Sequence, residues 1–545
     1  MTATSFVLTV HRDGETLRVS HRPGLSVREI LDATPLRVRA ACGGSGACGA
    51  CLVRWQAGPV NPPAMAEYLK LDAGERNAGQ RLACQARPRG DAVVVLEHPA
   101  PPSPWQSLPA DDLAEGPGPR PGWAGPPLGL AVDLGTTHVR LALWDIRLGK
   151  RIATRRGANP QGVFGADVLN RLAAARSHPA RAEELLTLVR QAILEGLRDI
   201  LARDVGEVTP MLAEIGRVRL VGNSAMLALL AGRGVAELLE PGNWSRPLAC
   251  QPEDEAVWRA AWHLPHADLA LVPPLAGFVG SDLLADLLAV DMLAAPPGTL
   301  LLDVGTNSEL ALWDGQILWI TSVPGGPAFE GTGIRHGMPA ESGAIQGVAA
   351  AAQGSRLDVI GGGPARGYCG SGLVDAIALL RREGLLKASG RFATAPGAEG
   401  YRLDPDQPAS ALTGADVDLF QRAKAALAAA MVHLLGAAGM HWRDLARLHV
   451  CGAFGRTLDP LNAQSLGLLP PLPPGRLSTR PDASLAGCEI LLLAEDGESR
   501  LAEVAGRARC INLALAPDYD EAFIEHLRLT PWRDGFSAGM GSDYN

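Results

Sequence analysis

The chain lacks any apolar run long enough to cross a membrane. Its longest, residues 425–440, is interrupted by His433 and falls short of the ~18 apolar residues a span requires. Nor does it open on a basic segment followed by an apolar one, so no signal peptide is expected and a cytoplasmic setting follows. There is no basic excess: the formal charge is -8, with 20% charged residues, which argues against nucleic acid as the main partner. No Walker A pattern is present, so a P-loop is excluded. Paired C-x2-C knuckles and a histidine near the cysteines are also missing, and most structural zinc sites use one or the other.

What is present is a concentration of thiols. Nine cysteines are too odd and too unevenly spread for a disulfide scaffold, since four fall within the first 84 residues. In a reducing compartment that clustering favours metal or redox chemistry. The stretch CGGSGACGAC, residues 42–51, supplies Cys42, Cys48 and Cys51 on a loop with four glycines, and Cys84 follows 33 positions later. A [2Fe–2S] cluster takes four thiolates, typically three from one loop and one from a distant strand. Glycines let that loop wrap closely and aim N–H groups at sulfur. Zinc is the rival reading. The C-x5-C-x2-C spacing resembles the adrenodoxin-type variant of the ferredoxin loop. Cys250, Cys369, Cys451, Cys488 and Cys510 are read as small buried hydrophobes.

At 545 residues the chain needs two to four domains. Residues 1–98 read as an α+β unit. SFVLTV and TLRVSH alternate around Asp13-Gly14, a hairpin signal; SVREILDA is a helix with Ser26 as N-cap; CLVRW and AVVVLEH supply further strands. The order resembles the β-grasp layout. Residues 99–127 hold ten prolines and little periodicity, so a linker is expected, with the N-terminal unit tethered and mobile. Residues 128–298 and 299–545 are expected to form two α/β halves facing a cleft. LGLAVDLGTTHVRLALWD (128–145) and TLLLDVGTNSELALWDGQ (299–316) share an apolar strand, Asp-x-Gly-Thr, a turn and a second strand.

Each turn can offer N–H groups and hydroxyls to a polyphosphate, while the leading carboxylate reaches a metal. That makes Asp133, Gly135, Thr136 and Thr137 candidates in the first copy, and Asp303, Gly305, Thr306 and Asn307 in the second. Taken singly, D-x-G-T also suits an ordinary tight hairpin. The pair resembles the acetate-kinase/sugar-kinase/Hsp70/actin superfamily. That resemblance implies a two-lobed α/β actin-like ATPase of ribonuclease-H-like halves, with Asp133 and Asp303 in the two phosphate motifs. VCGAFG from Val450 falls in the adenosine motif, with Gly452 and Ala453 against the nucleotide, and ATP and Mg2+ are the expected ligands. Asp282 in GFVGSDLLADLL is a candidate for positioning the attacking water, alongside Asp303 as a catalytic group; a helix-start carboxylate is the plain alternative for Asp282. Glu330 and Arg335 in the glycine-rich segment after the second motif are further candidates.

Ferredoxin domain, linker and ATPase in this order resemble the reductive activators of corrinoid proteins. The resemblance spans essentially the whole chain, including VGNSAMLALL, GGPAFEGTGIRHG and INLALAPDYDEAFIEHLRL. It implies ATP-dependent passage of single electrons from the [2Fe–2S] cluster to a Co(II) corrinoid protein of a methyltransferase system. An upstream electron donor and a homodimer go with it. Plant-type clusters lie near about −400 mV, and each ~59 mV by which the cobalt couple lies lower costs tenfold in equilibrium. Coupling to ATP answers that cost. Three alternatives remain at this point: a dehydratase-type activator, a small-molecule kinase with a regulatory ferredoxin, and a binding module with purely structural hairpins.

Overall fold

The computed structural model describes residues 5–533 except 13, 33, 35, 40–41, 43, 98, 101–102, 109–112, 166, 202–207, 252–253, 306, 324–326 and 352–353; of Pro327, Ala453 and Gly455 it describes the backbone alone. The hairpin expected near the N-terminus forms from β1 (Phe6–Arg12) and β2 (Glu15–His21), with Arg12 opposite Glu15. Gly14 closes the turn at φ +85°, a left-handed conformation that favours glycine. Ser26 starts the helix Val27–Asp32 as expected: its N–H and hydroxyl both donate to Glu29 at 2.7 and 2.6 Å, a reciprocal cap. β3 (Leu52–Ala57), β4 (Gln80–Leu82) and β5 (Ala92–Val95) complete a sheet of order β2-β1-β5-β3-β4 with β1 and β5 parallel. Leu8, Val10, Val53, Leu82 and Val94 bury its inner face. This is the β-grasp ferredoxin layout.

Two larger sheets follow, and they repeat one plan. In the first, β6 (Leu128–Leu134), β7 (His138–Asp145) and β8 (Lys150–Ala158) form an antiparallel meander, and β9 (Ile215–Gly222) and β10 (Asp268–Leu271) add in parallel beside β6. In the second, β11 (Thr299–Val304), β12 (Ser308–Trp313) and β13 (Leu318–Val323) make the same meander, with Arg447–Cys451 and Leu477–Arg480 parallel beside β11. The central strands β6 and β11 are apolar on both faces because helices cover both sides. Helix Ala483–Leu493, late in the sequence, crosses to the first sheet. Cys488 at its centre is buried with its Sγ 3.2 Å from the Arg219 carbonyl. Gly487 lets the same helix pack closely on helix Ser281–Ala289: a β-carbon there would sit 1.9 Å from the Ala285 carbonyl. The multidomain architecture is therefore a ferredoxin unit followed by a two-lobed actin-like body.

The proline-rich stretch departs from the expectation of a free tether. Trp105 is buried in the first lobe's core, in a slot that exists because residues 157 and 196 are glycine; β-carbons there would approach its ring to 2.6 and 2.9 Å. Gln106 exchanges two backbone hydrogen bonds with Arg156, at 2.9 and 2.6 Å, which extends the open edge of β8. Further on, Arg120 donates from its backbone to the Ile146 carbonyl at 3.0 Å. Among its described residues this proline-rich stretch forms no helix or regular strand, yet buried Trp105 and Leu108 anchor it. Of the five scattered cysteines, four are buried and Cys510 is half-buried. No helix among the described residues is long and apolar enough to cross a membrane.

Candidate functional site

The four N-terminal thiols lie in two pairs on neighbouring turns, and among the described residues no three His, Cys, Asp or Glu side chains are gathered closely enough to hold a metal ion. Gly44, Gly46 and Gly49 adopt φ of +101°, +84° and +71°, so the loop curls back on itself where other residues would be strained. Cys42, Cys51 and Cys84 are buried and Cys48 is half-buried. The Cys84 turn is clamped to the loop by Ala83 N–H donating to the Cys51 carbonyl at 2.7 Å. The sulfurs fall into two hydrogen-bonded pairs. Cys51 Sγ lies 3.3 Å from Cys84 Sγ, and Cys42 is bonded to Cys48, a contact that, against the opposing effect of burial, draws the Cys42 thiol down to about 4. In the other pair the hydrogen bond from Cys51 draws Cys84 down to about 7 while Cys51 itself is pushed up. N–H groups already point at sulfur: Ala50 N–H toward Cys48 and the Gln85 amide toward Cys84, each at 3.4 Å. The helix Met65–Lys70 covers the loop and is fixed by buried Glu67, which takes two bonds from Arg81 at 2.7 and 3.0 Å.

The second centre is a cleft of about 360 Å³ between the two lobes. It brings together Asp133, Gly135, Thr136 and Thr137 from one turn with Asp303, Gly305 and Asn307 from the other, and adds Asp282, Glu330 and Gly452. Thr306 lies outside the described residues, and for Ala453 only the backbone is described, at the start of a short turn, 453–456. Thr137 Oγ1 donates to Glu330 at 3.0 Å, a hydrogen bond from one lobe to the other. Gly452, at φ +78°, lies so close that a β-carbon would sit 2.7 Å from Asp303 Oδ1. Arg335 does not join the cleft: it pairs with Glu399 at 2.8 Å.

The two hairpins match in backbone and differ in charge. Asp133 stands across the ladder from Arg140, which donates to it at 2.7 Å. The equivalent partner of Asp303 is Glu309. Directly opposed residues share a face, so the second hairpin carries two carboxylates where the first carries an ion pair. Burial would lower Arg140, but Asp133 and Asp482 outweigh it and hold the guanidinium charged. Burial raises Asp303 to about 6; Arg140 opposes this and Asp133 adds to it. Burial, then Asp303 and Asp133, push Asp282 up to about 8. Burial, with Asp303 and Asp282 adding to it, also raises Asp286 and Glu309 well above the usual carboxylate range. Buried carboxyls this close together favour protonation of some of them or the entry of positive charge. Asn307 Nδ2 and Ser308 Oγ are buried at the same turn without a hydrogen-bond partner among the described residues.

Sequence reasoning missed Asp286, Glu309 and Arg140. Asp282 and Asp286 are four apart on the helix Ser281–Ala289, so they share a helix face. Glu309 and Arg140 could have been found by folding each Asp-x-Gly-Thr hairpin on paper and reading the residue opposite the aspartate.

Three family models match the chain: a 2Fe-2S iron-sulfur cluster binding domain over residues 10–89, the RACo middle region over 128–295, and the C-terminal domain of RACo, the ASKHA domain, over 298–536. Among curated proteins, the corrinoid activation enzyme RamQ of Eubacterium limosum is 29% identical over 423 residues, covering 73% of this chain and 70% of its own. The [Co(II) methylated amine-specific corrinoid protein] reductase of Methanosarcina barkeri is 26% identical over 381 residues, covering 63% of this chain and 66% of its own. Among solved structures, a reductive activator for corrinoid,iron-sulfur protein shares the fold with a TM-score of 0.62 at 24% identity, covering 96% of this chain and 98% of that one.

Proposed function

Because this chain belongs to the RACo family, whose two models run from residue 128 to residue 536 almost without a break, we propose that it is a reductive activator of a corrinoid protein. On this reading it spends ATP to return an inactive Co(II) corrinoid to Co(I), one electron at a time. The observation that carries the reading is the presence in one chain of two separate centres: a paired thiol quartet and an acid-lined cleft between matching hairpins.

Cys42, Cys48, Cys51 and Cys84 would hold a [2Fe–2S] cluster. Two thiol pairs suit two irons, and the N–H groups of Ala50 and Gln85 already face the sulfurs. Such a cluster supplies a one-electron carrier, loaded by an upstream low-potential donor. Reducing cytoplasm suits these free thiols, and pairing of two chains is a further part of the reading.

Asp303 and Glu309, with Asp133 across the cleft, would hold Mg2+ directly or through water. Gly135, Thr136 and Thr137 on one side and Gly305, Thr306 and Asn307 on the other would bind phosphates, with the unpartnered Asn307 amide as one donor. Gly452 and Ala453 would lie against the adenosine. Asp282 would orient the attacking water and take its proton once ionised, a form that burial beside Asp303 and Asp133 disfavours until positive charge enters the cleft. The Thr137–Glu330 hydrogen bond joins the lobes across the cleft. A nucleotide bridging both hairpins would change how the lobes close, giving the corrinoid partner two distinguishable surfaces. Closure would hold the partner and favour a reducible cobalt; hydrolysis would release it.

The test is ATP hydrolysis by the iron-reconstituted protein with and without a Co(II) corrinoid protein. Stimulation by the partner, and loss of cobalt reduction in Cys48→Ser with nucleotide binding retained, are expected. A phosphorylated small molecule accumulating instead would replace this reading by a kinase.

A further inference from the structure

The N-terminal unit rests on the first lobe through a buried layer of charge, and one residue of that layer also touches the thiol loop. Arg28, on the helix Val27–Asp32, is 3% exposed. Its Nη2 donates to the carbonyl of Ile200 at 3.2 Å. That carbonyl lies in the last turn of the helix Pro179–Leu201, where carbonyls lack helical partners and the helix end is negative. Its Nε is 3.6 Å from Asp32 Oδ2, an oxygen also 3.5 Å from Arg155 Nη1 of the lobe. Asp199 of the lobe receives both Arg155 and, at 3.4 Å, Arg37 of the N-terminal unit.

Arg28 Nη1 is buried with no hydrogen-bond partner among the described residues, although a buried guanidinium N–H without an acceptor is costly. It is pressed against the cysteine loop: a β-carbon at Gly44 would sit 2.8 Å from it and 3.9 Å from the Cys84 β-carbon. The Arg28 backbone N–H donates to the Ala83 carbonyl at 2.9 Å, which ties the helix to the Cys84 turn. A cation is thus wedged between the thiol quartet and the lobe, and its Nη1, unpartnered among the described residues, lies on the quartet's side.

We propose that Arg28 is a positioning residue that raises the reduction potential of the N-terminal centre, and that contact with the first lobe sustains this effect. The inference rests on the reading of Cys42, Cys48, Cys51 and Cys84 as cluster ligands. One electron from a low-potential donor adds one negative charge to the centre, and no proton need move. A buried guanidinium in contact favours the more negative, reduced form. When the unit lifts from the lobe, Arg28 loses the Ile200 carbonyl and gains water, its field is screened, and the centre becomes a stronger reductant. The docked unit is set for loading, the lifted unit for discharge.

The experiment is a mediator redox titration of the full chain reconstituted with iron and sulfide, read by electron paramagnetic resonance. Arg28→Gln should move the one-electron equilibrium at least tenfold toward the oxidised form, ~59 mV downward, while Arg28→Lys keeps most of the original potential. Asp199→Asn separates docking from simple charge. Removing an anion would by itself raise the potential, but it leaves Arg37 and Arg155 crowded across the interface, so lifting should lower it. An unchanged potential in Arg28→Gln at full iron and sulfide content overturns the inference. So does a raised potential in Asp199→Asn. If Arg28→Gln loses its iron, the Asp199→Asn titration decides alone. Absence of iron from the unsubstituted chain would sink the ligand assignment instead.

Discussion

Replacing Asp282 by Asn tests the cleft chemistry and its energetic cost together. The carboxyl is buried beside Asp303 and Asp133 and is pushed from 3.8 up to about 8. Between those two values the folded chain binds a proton that the unfolded chain has released, so stability falls as pH rises through the window. At pH 7 the corresponding cost is of order 4 kcal/mol if borne by Asp282 alone, and about 2 if shared with its neighbours. Asn keeps the shape and removes the charge. The variant should therefore melt several degrees higher at pH 7, at ~2–4 °C per kcal/mol, with a gain that grows from about pH 4 to about pH 8. Hydrolysis should fall on the order of 10²–10⁴-fold, the usual worth of a positioned base, while affinity for Mg-ATP stays within a few-fold. Calorimetry across pH and phosphate release supply the two readouts. A variant that melts no higher at any pH, or that hydrolyses ATP at the original rate, refutes the placement of Asp282 in the acid cluster or its role there.

Other consequences are separable. Asp303→Ala should leave the visible spectrum of the cluster intact and abolish ATP dependence of electron transfer, checked by spectroscopy and nucleotide binding on the same sample. Mg2+ binding needs ionised ligands, and the proposed ligand Asp303 is held up to about 6, so affinity should rise from about pH 5 to about pH 7 with proton release. Titration calorimetry in buffers of different ionisation enthalpy would detect those protons. Trp105→Ala removes the anchor of the proline-rich stretch and should cost ~3–5 kcal/mol, the usual range for a buried tryptophan; faster proteolysis within residues 99–127 is the accompanying sign.

The features most legible in the sequence are local ones. Cys42, Cys48 and Cys51 announce their centre because glycine and thiol spacing is a property of one loop. Asp133 and Asp303 stand out because each follows an apolar strand and opens a turn. Glu309 and Arg140 were hidden because their meaning depends on ladder register, and Asp286 because an acidic residue in a helix is ordinarily exposed. The packing of Trp105 and Gln106 within residues 99–127 is not legible for a different reason. Proline content predicts the absence of regular structure, not the absence of packing, and the slot for Trp105 is made by Gly157 and Gly196, which are distant in sequence. Arg28 was invisible for the same cause: its importance arises where two domains meet.

The central claim is that ATP turnover in the two-lobed body drives single electrons from the thiol-bound centre to a corrinoid cobalt. The direct measurement is the anaerobic visible spectrum of a Co(II) corrinoid protein mixed with the iron-reconstituted chain and a chemical reductant, with and without Mg-ATP. Appearance of Co(I) only when ATP is supplied is the predicted result; the same yield and rate of Co(I) without nucleotide would contradict it.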